Sequence, residues 1–358
     1  MNSLKSTNVR VQSTTHEAAS SKLSAVNLGY YSDPFLKYFV KRIEKRSPLI
    51  NRGYYARVAA VRQYIELFFK SLEEEEPVQV VNIGAGLDTT FFWISEQRKN
   101  ATYYEMDFHE LLREKANIIN RVDELRGFLK GADQGDVASK PEVEGKPEAE
   151  GKPGEENKPG VGADLINCAN YKMLSFDLNH SSLLEKHLTS YGFDFSIPTL
   201  FICECVLIYL EISSSDSLIQ TLAGLMRSTS CMLVYEQVNP NTAFGKVMIS
   251  NFSQRGIELK SIFKYDSLEK QLCRFKSLGW SHVYISDMNE IYDYHLNRDE
   301  KKKIEKIEMF DEFEEWRLLQ NHYFILVAFS PSEDLSKNAL YVFLKNMKDG
   351  GGGFSPNV

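Results

Sequence analysis

Three acidic side chains, Asp107, Asp177 and Glu204, each follow a short apolar run, and another such run ends in Gly84-Ala85-Gly86. Val78 to Ile83, between Pro77 and these glycines, has the pattern of a buried parallel strand that turns sharply at its carboxyl end. Thr89 and Thr90 then open a helix, so the turn is expected to offer free backbone N–H groups to a ligand. In open α/β sheets ligands lie outside the carboxyl ends of the strands, beside such a turn. Acids that end successive strands would line the same crevice, and carboxylates in apolar surroundings need a partner.

Two ligands compete for that crevice. A dinucleotide wants Gly-x-Gly-x-x-Gly, and here Thr89 stands in the third glycine's place. S-adenosylmethionine has no phosphates and needs only the first glycines. It also needs an acid for its ribose hydroxyls, and Asp107 lies 23 residues after Gly84, at the end of the next strand. Asp177, ending the third strand, suits the adenine amine. Glu204, ending the fourth, suits the ammonium or sulfonium side. Arg57 and Lys22 suit the ligand's carboxylate. Glu236 is read as sitting behind the site. The histidines are dispersed without metal-ligand spacing, so no metal is expected.

The elements that must position these residues alternate strand and helix. After Thr102–Asp107 come a helix around Leu111–Leu125, a strand over Tyr171–Leu178, a helix at Leu183–Leu188 and strands at Thr199–Cys203 and Cys231–Tyr235. Asp266 and Glu269 resemble a capping box, closed by Gly279. Strands at Trp280–Ile285 and His322–Phe329 follow, separated by a charged helical stretch from about Met288 to Leu319. This is an α/β chain with a doubly wound seven-stranded sheet, its last strand antiparallel. Asp33-Pro34 reads as a helix start, with Phe35, Phe39 and Ile43 at helical spacing. Val58, Val61, Ile65, Phe68 and Leu72 mark a second, amphipathic helix. The expected divisions are a flexible N-terminus (1–20), a helical cap (21–76), the core (77–330) with a lid near 241–265, and a mostly flexible tail (331–358), in which Leu340 to Leu344 can pack.

Composition bounds the class. The 358 residues are 43% apolar and 25% charged, ordinary for a globular chain. A net charge of −7 argues against general nucleic-acid binding. The five scattered cysteines read as free thiols, not a disulfide scaffold. With no signal-peptide core and no run of about 18 apolar residues, a cytoplasmic and also nuclear location is expected, without membrane attachment. Residues 131–163 hold seven of the 21 glycines and four of the 11 prolines, with Lys-Pro recurring at Lys140, Lys146, Lys152 and Lys158. Such a low-complexity insert is expected to be disordered.

Four linked segments carry a resemblance: Ile50-Asn51-Arg52-Gly53-Tyr54-Tyr55-Ala56-Arg57, Val81 to Thr90 (VNIGAGLDTT), Glu204 to Leu210 (ECVLIYL), and Tyr235-Glu236-Gln237-Val238-Asn239. Their order and spacing resemble the leucine carboxyl methyltransferases over roughly residues 20–330, apart from the insert. The resemblance implies methyl transfer from S-adenosylmethionine to the α-carboxyl of the C-terminal leucine of the protein phosphatase 2A catalytic subunit. It implies that partner's tail, and its folded active-site face, as the binding partner of a monomer. It also implies cofactor contacts from Lys22, Arg57, Gly84, Asp107, Asp177, Leu178 and Glu204, and Gly86 joins them as the other glycine in the floor of the site.

A C-terminal carboxylate titrates near about 3.3 to 3.7 and is already ionised, so in-line placement without a general base is enough. Arg52, Tyr54 or Tyr209 is expected to orient it by limited hydrogen bonding, while Arg57 serves the cofactor. Other readings are a tRNA-base carboxyl methyltransferase of the same broad family, a non-catalytic adaptor holding the phosphatase tail, and a nicotinamide-dependent dehydrogenase.

Overall fold

The computed structural model describes residues 2–131, 165–330 and 335–349, with side chains from residue 10 onward. Beyond its first residue, the insert expected at 131–163 lies outside them.

Strands β1 (Val78–Ile83), β2 (Ala101–Asp107), β3 (Tyr171–Ser175), β4 (Thr199–Glu204), β5 (Ser230–Gln237), β6 (His282–Asp287) and β7 (Tyr323–Phe329) form one sheet in the order β3-β2-β1-β4-β5-β7-β6. The first five pair in parallel, and β7 inserts antiparallel between β5 and β6. This is the doubly wound sheet expected from the alternating pattern. Every residue of β1 and β5 is buried, because helices cover both faces. Val80, Tyr103, Leu200 and Leu233 point to one core. Their chain neighbours Val81, Tyr104, Phe201 and Val234 point to the other. A strand covered on both faces reads as a continuous apolar run, which is why the sequence displays these strands so plainly.

Winding reverses between β1 and β4, so the ligand crevice lies outside their carboxyl ends. Helices α1 (Asn2–Asn27) and α2 (Pro48–Phe69) pack on the first core beside that crevice. Helices α3 (Thr90–Gln97) and α4 (His109–Arg121) follow β1 and β2.

Several local expectations are corrected. The N-terminus is helix α1, not a flexible stretch, and Ala19, Leu23 and Ala25 bury its inner side. Asp33 starts no α-helix. Its Oδ1 accepts the Phe35 and Leu36 N–H groups ahead of a single 3-10 turn, Leu36–Tyr38, while Thr89 donates to Oδ2 at 2.6 Å. That carboxylate fastens the cap to the start of α3. Strand β3 stops at Ser175, short of Asp177. The capping residue of Leu268–Ser277 is Ser267, whose hydroxyl accepts from Lys270 N, whereas Asp266 pairs with Lys270 Nζ at 2.9 Å. The charged stretch 288–319 is broken into short turns and the helices Arg298–Ile304 and Phe313–Gln320. No helix among the described residues is long and apolar enough to cross a membrane.

The tail carries the helix Ala339–Asp349, which buries Leu340 and Leu344 in the first core near α2. Leu340 is completely buried. Leu340→Ala is therefore expected to destabilise the protein by about 2–5 kcal/mol, read as a lowered denaturation midpoint. An unchanged midpoint would detach this helix from the core.

Candidate active site

A cavity of about 540 Å³ opens at the carboxyl edge of the sheet. Its floor is the glycine turn. Gly84 and Gly86 both take positive φ, 70° and 50°. A Cβ on Gly84 would stand 2.3 Å from Val206 Cγ2, and one on Gly86 2.7 Å from Thr15 Oγ1. Both glycines are thus required by conformation and by close approach. The Thr15 contact shows that α1 lies on the turn, which a flexible terminus would not do.

The N–H groups of Gly84, Ala85 and Gly86 are not free for a ligand. Gly84 and Ala85 donate to the Met106 carbonyl, Gly86 to Asp107 Oδ2, Asp88 to the Ala85 carbonyl, and Thr90 to Asp88 Oδ1. A phosphate-binding turn keeps such groups free. This one spends them on the end of β2, which disfavours a pyrophosphate and leaves room for an uncharged part of a ligand.

Each expected cofactor residue lies in the cavity wall: Lys22, Arg57, Gly84, Gly86, Asp107, Asp177, Leu178 and Glu204. Asp107 takes Gly86 N on Oδ2 and Phe108 N on Oδ1, both at 2.7 Å, leaving a lone pair on each oxygen for a diol. Burial pushes its carboxyl up, and the two N–H groups hold it back. Asp177 lies beyond its strand, half-exposed at the rim, and its Oδ1 accepts from Asn179 N and Nδ2. Its expected place at a strand end is corrected accordingly.

Lys22 and Arg57 are already paired. Lys22 Nζ lies 3.0 Å from Asp88 Oδ2, and Arg57 Nε 2.5 Å from Glu204 Oε2. Burial works against both cations, but the neighbouring acids win and hold both on the protonated side. Two cations and two carboxylates side by side in one wall match a zwitterionic ligand end, carboxylate toward Lys22 and Arg57, ammonium toward Glu204.

Of the three residues expected to orient a substrate carboxylate, Tyr54 and Tyr209 line the cavity. Arg52 does not. It is buried off the cavity-lining face of α2, its guanidinium 3.8 Å over the Phe310 ring. The reason is helical geometry. Ile50, Gly53, Tyr54 and Arg57 share one face of α2, whereas Arg52, five residues before Arg57, points about 140° away at 100° per residue.

Sequence reasoning missed several supports. Asp88 gathers Lys22 Nζ, Thr90 N and Asn82 Nδ2. Lys115, fully buried on α4, reaches Glu105 Oε1 at 2.7 Å and the Asp88 carbonyl at 2.5 Å, bracing the floor from below. Glu105 inside an otherwise apolar strand was the available signal. The lid region contributes Phe252, Arg255 and Lys260, and Arg255 pairs with Glu17 of α1 at 2.5 Å. No cluster of metal-ligating side chains occurs among the described residues.

A family profile described as leucine carboxyl methyltransferase matches residues 11–223. The chain is 35% identical to the leucine carboxyl methyltransferase 1 homolog of Arabidopsis thaliana, over 90% of each chain. It is 34% identical to the "Probable leucine carboxyl methyltransferase 1" of Caenorhabditis briggsae, over 89% of this chain and 90% of that one. Identity to human tRNA wybutosine-synthesizing protein 4 is also 34%, over 92% of this chain but only 45% of that protein.

Glu236 sits behind the site, 1% exposed, with Oε1 accepting the N–H groups of Val206 at 3.1 Å and Ile208 at 3.0 Å. It holds the segment that carries Tyr209, next to Cys205 at φ 57°. Burial pushes its carboxyl up to about 7, against the pull of Arg274 and the backbone N–H groups. The folded chain therefore binds this proton more tightly than the unfolded chain. Stability from this group is complete at low pH and falls as pH rises through 7, by on the order of 3 kcal/mol. Glu236→Gln keeps the accepting oxygen and loses the titration. Its denaturation midpoint is expected to change less than the wild type's between pH 5 and 8. Equal pH dependence in the two proteins would refute the assignment.

Proposed function

Because the chain belongs to the leucine carboxyl methyltransferase family, we propose that it methylates the α-carboxylate of the C-terminal leucine of the protein phosphatase 2A catalytic subunit, with S-adenosylmethionine as donor. One observation carries this reading: among the described residues, the wall around Tyr54 and Tyr209 offers no base suited to neutral pH. No histidine lines it. Burial pushes the phenols of Tyr209, Tyr235 and Tyr323 well above their usual range, and the Cys205 thiol up to about 12. Glu204 and Asp88 are engaged by Arg57 and Lys22. Such a wall suits a nucleophile that arrives ionised, as a C-terminal carboxylate does.

The residues present fit the donor. Asp107 would hold the ribose hydroxyls, Leu178 and Asp177 the adenine end, and the four-charge wall the amino-acid end. Gly84 and Gly86 leave space for the ligand to rest on the turn. When bound, the donor supplies a methyl group activated on a sulfonium sulfur. The chain's own work is then placement. Protonated Tyr209 donates hydrogen bonds and takes no proton, and Tyr54 stands beside it in the wall. An arginine clamp on the acceptor would weaken its nucleophilicity. Arg57 is instead held by Glu204 and lies 4.4 Å over the Tyr235 ring. The cap and lid surround the reacting groups and exclude water.

Radiolabelled methyl transfer tests this directly. The phosphatase catalytic subunit is expected to be labelled only when its terminal leucine is present. Equal labelling with and without that leucine would sink the proposed acceptor, and labelling of tRNA instead would move the reading to the tRNA-base relative.

A further inference from the structure

The cavity divides along the sheet edge. Its cofactor side lies over β1, β2 and β3, and the other side over β4, β5 and β7. On that second side, antiparallel pairing sets Tyr323, the first residue of β7, directly across from Gln237, the last of β5. Both line the cavity. The pair is rigidly seated: Tyr323 stacks on Tyr235 with ring centroids 5.3 Å apart and planes at 14°, and Arg57 covers Tyr235.

Gln237 is 3% exposed. Among the described residues its Oε1 has no hydrogen-bond partner, although Tyr323 stands directly across from it. A buried amide oxygen left unpaired is costly and unusual. It is an acceptor, so what completes it must be a donor. The acceptor carboxylate has no proton to give at neutral pH. The donor nearest to a peptide's C-terminal carboxylate is the amide N–H of the same residue.

We propose that Gln237 reads the last peptide bond of the methyl acceptor, its Oε1 accepting the N–H of the terminal residue. Gln237 thereby selects carboxylates that end a peptide over carboxylates without that N–H. This rests on the reading of a C-terminal α-carboxylate as acceptor.

The test uses the phosphatase catalytic subunit carrying either its natural tail or a ligated synthetic tail whose last peptide bond is an ester. The ester removes one N–H and little else. For the wild-type enzyme kcat/KM is expected to fall about tenfold on the ester tail, the factor carried by one buried hydrogen bond. Gln237→Met is expected to lose about the same factor on the natural tail and to treat the two tails alike. Its cofactor affinity, read by calorimetry, should stay unchanged. A wild-type enzyme indifferent to the ester overturns the proposal without any variant, as does a Met variant that keeps the full ester penalty. Absence of transfer to the natural tail removes the functional reading itself. Transfer to both tails at equal rates removes only the role of Gln237.

Discussion

Two ion pairs in the cavity wall hold the helical cap to the sheet. Lys22 comes from α1 and meets Asp88 beyond β1, and Arg57 comes from α2 and meets Glu204 at the end of β4. Each is nearly shut off from water, with both side chains 12–13% exposed. Desolvating such charges offsets most of their mutual attraction, so these pairs are weak evidence of stability. Their consequence is positional. They bring opposite charges from cap and sheet to one point beside the glycine turn, where a zwitterion can exchange partners with them. The contact of cap with sheet and the charge beside the glycine turn therefore draw on the same four side chains.

The floor beneath obeys a similar economy of contacts. The glycine turn has its N–H groups bound to the end of β2, and Asp107 is fixed by that of Gly86 and by its own neighbour Phe108 N. That gives up a phosphate site and yields a rigid carboxylate facing the crevice. The missing third glycine agrees with this. Lys115 secures the arrangement from the far side by joining Glu105 to the Asp88 carbonyl.

The sheet and its acids were legible because strands buried on both faces leave continuous apolar runs, and acids at their ends interrupt them. Asp107 and Glu204 follow this rule, whereas Asp177 lies past its strand because β3 ends two residues earlier. The N-terminal helix was not legible. Its sequence is polar, and its ordering depends on distant partners such as Asp88 for Lys22, Arg255 for Glu17 and Gly86 for Thr15. Arg52 was misplaced for a reason the sequence did contain. Residues 50, 53, 54 and 57 mark one helix face, and Arg52 is off it. Gln237 could not be singled out from sequence, since its meaning depends on the pairing of β5 with β7.

That pairing also explains why an antiparallel strand serves this site. A parallel strand brings its last residue to the ligand edge, and an antiparallel one brings its first. Inserting β7 next to β5 therefore adds Tyr323 beside Gln237. The charged pairs stay over β1 and β4, and phenols and an amide occupy the side over β5 and β7. An ionised acceptor needs no proton removed, only a fixed orientation with its lone pair unspent. Neutral donors of raised pKa give orientation with little loss of nucleophilicity, which a free cation at the same place could not do.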